Sequence, residues 1–369
     1  MFSRPYLGLV VLYLAILVAG TYQHITLPNT NISFAYLDSG PVPKHDSYTT
    51  LVFLHGMGFN SVVFDKIRFL ATTNKVRIVA VNRREYAPTS PLNVAELAVL
   101  SQGDPGAATY FRQRGNEIGL FLDKWIQQNH IPIARPNGDG GLSLVGWSLG
   151  TVTATAFLAH LDTLSAATLN RLSAYLHTVL MHDPYATAVA FPIPPEFDIS
   201  LWFITDPKTR FQAFKEWVTA YYQHTNYNPA TGSVSTLDFN IANPHKARTF
   251  AHTPQNVLNN MLDESAFSGS ETNVLFFGQG AYRELIRRAL FDTTIAHKLP
   301  NVKIRYYYGA ETPGILVLAT WDVTKASPSY YHGVHARDVK LKYGNQGNHF
   351  FFYDNPQYAL QQYLLTVKS

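Results

Sequence analysis

The sequence predicts an α/β fold: a doubly wound, mostly parallel sheet with an inserted helical cap. Short apolar runs that suit buried strands alternate with segments of helical periodicity, which is the pattern of such sheets. A long aromatic-rich segment interrupts the alternation, and side chains capable of chemistry follow several of the strands. Of the 369 residues 46% are hydrophobic, which is enough for a large core together with a subdomain.

The first 20 residues resemble a secretory leader. Arg4 precedes an apolar run that ends in the small residues Ala19 and Gly20, an arrangement typical of signal peptides. The run is shorter than the roughly 20 apolar residues that span a membrane. We therefore expect a cleaved signal peptide and a secreted protein, with a retained signal anchor or a buried helix as alternatives. The sequon Asn31-Ile32-Ser33 is compatible with secretion.

Composition argues against several classes of protein. The net charge is +4 and no basic run stands out, so we expect no nucleic-acid partner. The chain has no cysteine, which excludes disulfides, thiolate metal sites and a cysteine nucleophile. Neither a cluster of metal ligands nor a phosphate-binding loop is evident, so we expect no metal and no cofactor. A membrane is an expected partner only if the leader is retained.

The strands of the predicted sheet can be placed along the chain. Two edge strands are expected between residues 21 and 37, before six more deeply buried ones. Helical periodicity is clearest at residues 115–131 and again at 356–367, which reads as a closing helix. The six buried strands are predicted at residues 49–54, 76–81, 142–145, 176–181, 302–308 and 339–343.

Residues 186–299 break this alternation. They are rich in Phe, Tyr, Trp and Pro and contain helical patterns such as residues 211–222. An insertion of this length between two sheet strands is too long for a simple loop. We predict a helical cap over the carboxyl ends of the strands, between a first part of the core at 21–185 and a second part at 300–369.

The sequence GWSLG at residues 146–150 places Ser148 between a buried strand and a helix. A serine hydroxyl is a weak nucleophile and needs an adjacent base that a third group orients. The flanking glycines permit a tight turn that projects the side chain outwards, at the positive end of the following helix. We predict that Ser148 is a nucleophile. The alternative is a helix cap in a nucleotide-binding fold, which typically has more glycines and a lysine.

His349 is the predicted base, because it follows the last strand in a loop from which it can reach a neighbouring strand end. Two carboxylates are candidates for the orienting acid. Asp183 follows the strand 176–181, and Glu311 follows the strand 302–308. Both lie between Ser148 and His349 in the chain, as the order of such sites requires. We favour Asp183, with Glu311 as the alternative.

The sequence HGMG at residues 55–58 is the predicted source of an oxyanion hole. Its glycines let the main chain pass close to a substrate, so the N–H of Met57, or alternatively of Gly58, would act together with that of Leu149. We expect His55 to hydrogen-bond the loop rather than to act as a base.

Two arginines, Arg83 and Arg84, follow the strand 76–81. We expect them to hold a loop by pairing with nearby carboxylates. Binding of a carboxylate or phosphate of the substrate is the alternative.

Together these motifs resemble the α/β-hydrolase superfamily, over nearly the whole chain after the leader. The matching sequences are FLHGMG at 53–58, GWSLG at 146–150 and NHF at 348–350. The chain is more closely similar to fungal α/β-hydrolase-domain proteins of the AB hydrolase-1 group. That closer resemblance involves VNRREY at 81–86, the following Ser90-Pro91, HDP at 182–184 and FKEWVTAYY at 214–222.

The resemblance also bears on the acid. Many members of the superfamily carry it as Gly-x-x-Asp after the strand that here ends at Tyr308. This chain has Thr312 at that spacing and Glu311 one residue earlier. Some relatives place the acid one strand earlier, where Asp183 stands, although in other members an aspartate there is structural.

We therefore predict a serine hydrolase that cleaves carboxylic esters through Ser148, His349 and Asp183 by way of an acyl-enzyme. A thioesterase or lactonase with the same triad is one alternative, and a non-catalytic ligand receptor or scaffold on the same fold is another. The aromatic cap predicts a bulky apolar acyl or aromatic substrate. The residues predicted to contact it are Trp147, Trp202, Trp217, Tyr221 and Tyr222.

Overall fold

The computed structural model describes residues 20–224, 227–228 and 236–369, and within these ranges it contains one eight-stranded sheet. The strands are β1 (Gln23–Thr26), β2 (Ser33–Asp38), β3 (Thr49–Leu54), β4 (Val76–Val81), β5 (Leu142–Trp147), β6 (Leu176–His182), β7 (Lys303–Tyr308) and β8 (Val339–Tyr343). Their order in the sheet is β1-β2-β4-β3-β5-β6-β7-β8. The pairs β1–β2 and β2–β4 are antiparallel, and all other neighbours are parallel. The predicted doubly wound, mostly parallel sheet is confirmed.

The central strands coincide with apolar runs in the sequence. Every residue of β3, β4 and β5 is buried, as expected of parallel strands covered on both faces. The edge strand β8 is only partly buried, and its Lys340 and Lys342 discourage pairing with another chain. The carboxyl ends of β3, β5, β6 and β7 lie side by side in the sheet, so the loops that follow these strands meet at one edge.

Helices connect and cover the strands. Three of them contain a π-helical segment, at Phe267–Glu271, Arg287–Phe291 and Asp322–Ala326. The helices are α1 (Asp65–Phe69), α2 (Val94–Val99), α3 (Gly103–Asn129), α4 (Gly150–Ala159), α5 (Ala166–Tyr175), α6 (Pro207–Val218), α7 (Gln255–Asn259), α8 (264–275), α9 (279–291), α10 (Thr293–Ala296), α11 (314–330), α12 (Phe351–Asp354) and α13 (Pro356–Lys368).

Helix α3 begins much earlier than the periodicity predicted, at Gly103 rather than near residue 115. Gly106 and Gly115 interrupt the apolar pattern, and glycine normally weakens a helix. Here these glycines are sites of close packing. A Cβ on Gly115 would lie 2.2 Å from the Ala156 carbonyl oxygen of α4, so glycine lets the two helices approach each other.

Residues 183–302, here called the β6–β7 connection, contain helices α6 to α10 and a cluster of aromatic rings. The ring of Phe214 lies 5.8 Å from that of Trp202 and 4.9 Å from that of Phe267, measured between centroids. Aromatic packing of this kind stabilises a segment that has no strand in its described part. The predicted limits of a cap at residues 186 and 299 stay a prediction.

The predicted leader, residues 1–20, lies outside the described residues except for Gly20. Among the residues that the structure describes, no helix has the length and apolar character needed to cross a membrane.

Candidate active site

Ser148 occupies the turn between β5 and α4. Its φ of +54° is a left-handed conformation, which a residue other than glycine adopts only where the surrounding structure imposes it. Its N–H donates to the His182 carbonyl oxygen at 2.8 Å and so ties the turn to the end of β6. The residue is partly exposed, whereas all of β5 before it is buried. The hydroxyl is therefore presented at the edge of the sheet.

Two glycines allow the loop after β3 to pass directly beside this turn. A Cβ on Gly56 would lie 2.7 Å from the Cβ of Ser148, and a Cβ on Gly150 would lie 2.3 Å from the Leu54 carbonyl oxygen. Both distances are shorter than a Cβ tolerates to another carbon or oxygen atom. Glycine at these positions therefore brings the main chain of residues 55–58 into contact with Ser148.

A hydrogen bond joins His349 to Asp183. The imidazole Nδ1 lies 2.8 Å from Asp183 Oδ2, and both side chains are buried. An ionised carboxylate can only accept, so Nδ1 donates, and the neutral imidazole keeps Nε2 free to accept a proton. Asp183 follows β6 with a φ of +52°, and His349 follows β8. The structure thus brings together two residues that are far apart in the chain.

Thr312 is a second donor to the same carboxylate. Its Oγ1 donates to Asp183 Oδ2 at 2.6 Å, and the Asp183 N–H donates to the Tyr307 carbonyl oxygen at 3.0 Å. Thr312 stands where the resembling superfamily often has the acid itself. The sequence marked this position only as a missing aspartate, so its contact with Asp183 was not predicted.

His182 lies behind Asp183 and is also buried. Its Nδ1 lies 3.0 Å from the Tyr363 hydroxyl, and its Nε2 lies 3.4 Å from Asp183 Oδ2. Burial lowers the pKa of His182 to about 4, with His349 acting in the same direction and the Asp183 charge opposing it. At neutral pH His182 is therefore uncharged and does not compete with His349 as a cation.

Trp147 packs against His349. Its indole Nε1 donates to the His349 carbonyl oxygen at 3.0 Å, and the two ring centroids are 4.9 Å apart. Trp147 is buried and does not border the cavity described below. The indole packs against the imidazole, and the predicted contact of Trp147 with substrate stays a prediction.

Glu311 is held on the outer side of the His349 loop. Its Oε2 accepts from the Gly347 N–H at 3.0 Å, its Oε1 forms an ion pair with Lys246, and its own N–H donates to the Gly347 carbonyl oxygen at 2.9 Å. These contacts fix the loop before His349, and none of them involves the imidazole. Of the two candidate acids, Asp183 is the one that contacts His349.

The loop at residues 55–58 is held by the end of β4. The Arg83 Nε donates to the His55 carbonyl oxygen at 2.8 Å, and Nη2 donates to that of Gly56 at 3.0 Å. The His55 ring accepts from the Arg83 N–H at Nε2 and lies 2.9 Å from the Gly56 carbonyl oxygen at Nδ1. Burial, followed by the Arg83 charge, lowers the pKa of His55 well below its ordinary value. His55 is thus a neutral group that holds the loop.

Arg83 and Arg84 both pair with buried carboxylates, as expected. Arg83 binds Glu271 through two hydrogen bonds of 2.5 and 3.0 Å. Arg84 binds Glu96 and Glu117, in a cluster that also contains Arg114. The alternative, that these arginines bind a substrate anion, finds no support because their guanidinium groups already have partners.

A narrow cavity lies over Ser148. Met57, Leu149 and His349 also border it, so both residues predicted to form the oxyanion hole meet Ser148 and His349 there. About 20 Å³ of the cavity admits the centres of water molecules, which is room for about one water. The rest of the lining is aromatic and aliphatic: Tyr185, Trp202, Phe214, Trp217, Val218, Leu275 and Leu316.

The four predicted substrate contacts in the β6–β7 connection divide into two pairs. Trp202 and Trp217 border the cavity, but Tyr221 and Tyr222 do not. The Tyr221 hydroxyl donates to Asp354 Oδ2 at 2.6 Å, and the Tyr222 hydroxyl donates to the Trp217 carbonyl oxygen at 3.1 Å. Helix α6 ends at Val218, so the face that presents Trp217 to the cavity does not continue to these tyrosines.

A larger groove of about 660 Å³ lies on the other face of α6. Lys215, Glu216 and Phe59 are among its lining residues, but Ser148, Asp183 and His349 are not. Volume alone would therefore select a different site. The candidate site is defined by the chemistry of its residues, not by its size.

The comparison with protein families identifies the class. The profile of the "Alpha/beta hydrolase family" matches residues 51–360, which is most of the chain. The chain belongs to the alpha/beta hydrolase family. No curated protein matches the sequence.

Three solved structures are similar to this chain at low sequence identity, and the first two, with TM-scores of 0.50 or above, share its fold. A bromoperoxidase from Bacillus anthracis is 12% identical, with 95% of this chain and 100% of that chain covered and a TM-score of 0.54. An epoxide hydrolase variant from Vigna radiata is 12% identical, with 94% and 98% covered and a TM-score of 0.50. An esterase from Exiguobacterium antarcticum is 13% identical, with 95% and 100% covered and a TM-score of 0.48. Similarity at these identities concerns the fold alone.

Proposed function

We propose that this protein is a serine hydrolase that cleaves carboxylic esters. The observation that carries the proposal is the hydrogen bond between His349 and Asp183, on the same cavity as Ser148 in its left-handed turn. This is the set of groups that activates a serine hydroxyl. A serine at the turn, rather than an aspartate, argues against epoxide hydrolase and haloalkane dehalogenase chemistry. Membership of the alpha/beta hydrolase family supports a hydrolase-type enzyme.

In the proposed reaction Ser148 Oγ attacks the ester carbonyl carbon while His349 Nε2 takes the hydroxyl proton. Asp183 holds the imidazole and stabilises its positive charge. The oxyanion that forms accepts hydrogen bonds from the main-chain N–H groups of Met57 and Leu149. The bond to the alcohol oxygen then breaks, and His349 returns the proton to the departing alcohol.

The acyl group is then bound to Ser148 Oγ. Water attacks its carbonyl carbon and gives a proton to His349, and a second tetrahedral intermediate forms in the same oxyanion hole. When this intermediate collapses, the bond to Ser148 breaks, its oxygen regains the proton, and the carboxylic acid leaves.

The lining of the cavity favours a bulky apolar acyl or aromatic substrate. Trp202, Phe214 and Trp217 come from the β6–β7 connection, and Leu316 comes from α11. Because the cavity has room for about one water, entry of an ester requires these side chains to move apart. We therefore propose that residues 186–299 act as a cap on a core formed by residues 21–185 and 300–369.

Labelling with a fluorophosphonate probe tests the proposal. We expect one probe molecule per folded chain, located at Ser148 by peptide mass spectrometry, and no labelling of Ser148→Ala. The variant Ser101→Ala removes an exposed serine far from the site in the fold and is expected to be labelled normally. Folded wild-type protein that takes up no probe would argue against an enzyme and in favour of a ligand receptor or scaffold.

A substrate panel distinguishes esters from thioesters and lactones. The panel holds the acyl group constant while the linkage changes, and then varies acyl length and branching within the esters. We expect the highest kcat/KM for esters with aryl or branched acyl groups. Higher kcat/KM for the matched thioester or lactone would support the alternative reactions of the same triad.

We also propose that residues 1–20 direct the chain into the secretory pathway and are then removed. N-terminal sequencing of secreted protein is expected to show a chain that has lost the leader. A retained Met1 would indicate a membrane anchor or a protein that is not secreted. The closer resemblance to fungal AB hydrolase-1 proteins stays a prediction.

A further inference from the structure

We infer that Glu271 is a positioning residue for the oxyanion hole, because it holds Arg83 and Tyr86 against the loop at residues 55–58. The inference rests on the proposed function as a serine hydrolase. It assigns a role in catalysis to a residue of the β6–β7 connection that does not border the cavity.

Arg83 and Glu271 form a buried pair that two hydrogen bonds orient. The two side chains are 5% and 2% exposed, and the carboxylate receives hydrogen bonds from both Nη1 and Nη2 of the guanidinium. Paired bonds of this kind fix direction as well as distance. Loss of either partner would leave the other charge buried without compensation.

Arg83 transmits this orientation to the peptide between Gly56 and Met57. In a trans peptide the C=O and the N–H point in opposite directions. Arg83 Nη2 binds the Gly56 carbonyl oxygen at 3.0 Å, and Arg83 Nε binds that of His55 at 2.8 Å. By fixing the direction of the Gly56 carbonyl, Arg83 also fixes the direction of the Met57 N–H, the proposed oxyanion donor.

Tyr86 fixes the next peptide of the loop. The Gly58 N–H donates to the Tyr86 hydroxyl at 2.8 Å, and this hydroxyl donates to Glu271 Oε2 at 3.0 Å. The Gly58 carbonyl oxygen accepts from the Asp263 N–H at 2.9 Å, just before α8 begins. The main chain on both sides of Met57 is therefore attached to one segment, residues 263–271.

The same segment is attached to the aromatic lining of the cavity. Glu271 is the last residue of the π-helical turn that begins at Phe267, and such turns are frequent at functional sites. The ring of Phe267 packs against those of Trp202 and Phe214, which border the cavity. The carboxylate that holds Arg83 and Tyr86 and the ring that packs on the cavity lining therefore belong to one helix, α8.

The cluster around Arg84 provides a matched control. Glu117 is also a buried carboxylate paired with arginine, at 2.8 Å from Arg84 and 2.7 Å from Arg114. It has no contact with the loop at residues 55–58 among the described interactions. Glu271→Gln and Glu117→Gln therefore make the same chemical change in two comparable buried pairs, of which only one touches the oxyanion loop.

The experiment measures kcat, KM and the rate of fluorophosphonate labelling per folded chain for both variants. We expect Glu271→Gln to lower kcat and the labelling rate about 10- to 100-fold, with KM within about threefold of wild type, because the oxyanion hole acts in the transition state. Glu117→Gln is expected to lower thermal stability but to leave all three kinetic values near those of the wild type.

Tyr86→Phe keeps the ion pair but removes both the acceptor for the Gly58 N–H and the donor to Glu271 Oε2. It tests the inference if Glu271→Gln does not fold. We expect it to lower kcat about 3- to 10-fold, since one peptide of the loop loses its partner. If Glu271→Gln and Tyr86→Phe are labelled as fast as the wild type, this inference is wrong and the proposed function still stands. A wild-type protein that is not labelled would overturn the proposed function, and this inference with it.

Discussion

The neighbouring strands β6 and β7 are each followed by a carboxylate, and the two carboxylates have different surroundings. Asp183 is fully buried, and its Oδ2 accepts from His349 and Thr312. Glu311 is 18% exposed and pairs with Lys246, whose side chain is 45% exposed. One carboxylate therefore orients an imidazole inside the protein, and the other holds the same histidine's loop from the solvent side.

Two carboxylates at equivalent positions, each after a neighbouring strand, can therefore have different roles. A buried carboxylate with two donors is confined to one orientation, and its removal leaves those donors unpaired. An exposed ion pair exchanges readily with water and contributes little free energy. Three substitutions test whether the two carboxylates differ as the structure indicates, and a pH measurement tests the buried surroundings of Asp183.

The largest effect is expected from Asp183→Asn. The amide presents an N–H₂ group or a neutral oxygen to His349. It no longer stabilises the protonated imidazole, and it no longer holds the neutral ring in the tautomer with its N–H at Nδ1. We expect kcat/KM for ester hydrolysis to fall by about 10³- to 10⁴-fold, measured per folded chain. A variant with near wild-type activity would show that Asp183 is structural.

The next effect concerns pH and the histidine behind Asp183. The pKa of His182 is about 4 in the folded protein, compared with 6.5 for an exposed histidine. Between these pH values the unfolded chain binds a proton that the folded chain does not, so stability rises with pH. The contribution is complete above about pH 6.5 and is lost as the pH falls towards 4.

At pH 5 this difference amounts to roughly 2 kcal/mol, at about 1.4 kcal/mol per pH unit. His182→Asn removes the titrating group, and its amide can still meet the Tyr363 hydroxyl. Urea unfolding at pH 7.5 and pH 5 is expected to show a loss of stability on acidification that is smaller in the variant than in the wild type. The other buried histidines contribute equally to both proteins. Identical losses would mean that His182 is not held neutral.

A moderate effect is expected from Thr312→Val, which removes one of the two donors to Asp183 Oδ2 at little cost in volume. Activity is expected to fall about 10-fold, and stability by about 1–3 kcal/mol because a buried carboxylate oxygen loses a partner. Thr320→Val is the control, since Thr320 Oγ1 donates at 2.8 Å to the Leu316 carbonyl oxygen within α11. If both variants lose activity equally, Thr312 has no special part in the site.

The smallest effect is expected from Glu311→Gln. The glutamine can still accept from the Gly347 N–H, and the lost ion pair is partly exposed, so stability should fall by less than about 1 kcal/mol. Activity is expected to stay within about threefold of wild type, measured alongside Asp183→Asn. A loss as large as that of Asp183→Asn would make Glu311 the acid and reverse the comparison.

Much of the fold was predictable because the relevant signals are local. The strands at residues 49–54 and 76–81 lie where the apolar runs placed them, and the two edge strands lie between residues 21 and 37. The start of α3 was not predictable, because Gly106 and Gly115 weaken a helix locally and are explained only by the packing around them.

For the candidate site, the sequence by itself determined which segments carry the chemistry. Ser148 between its glycines and His349 after the last strand depend on short patterns, and a parallel sheet brings the ends of its strands to one edge. The tertiary structure decided which side chains meet there: Asp183 rather than Glu311 at His349, Thr312 beside it, and Glu271 at Arg83. Arg83 and Glu271 are 188 positions apart in the chain. Their pairing depends on how distant segments pack, and no local pattern of residues predicts it.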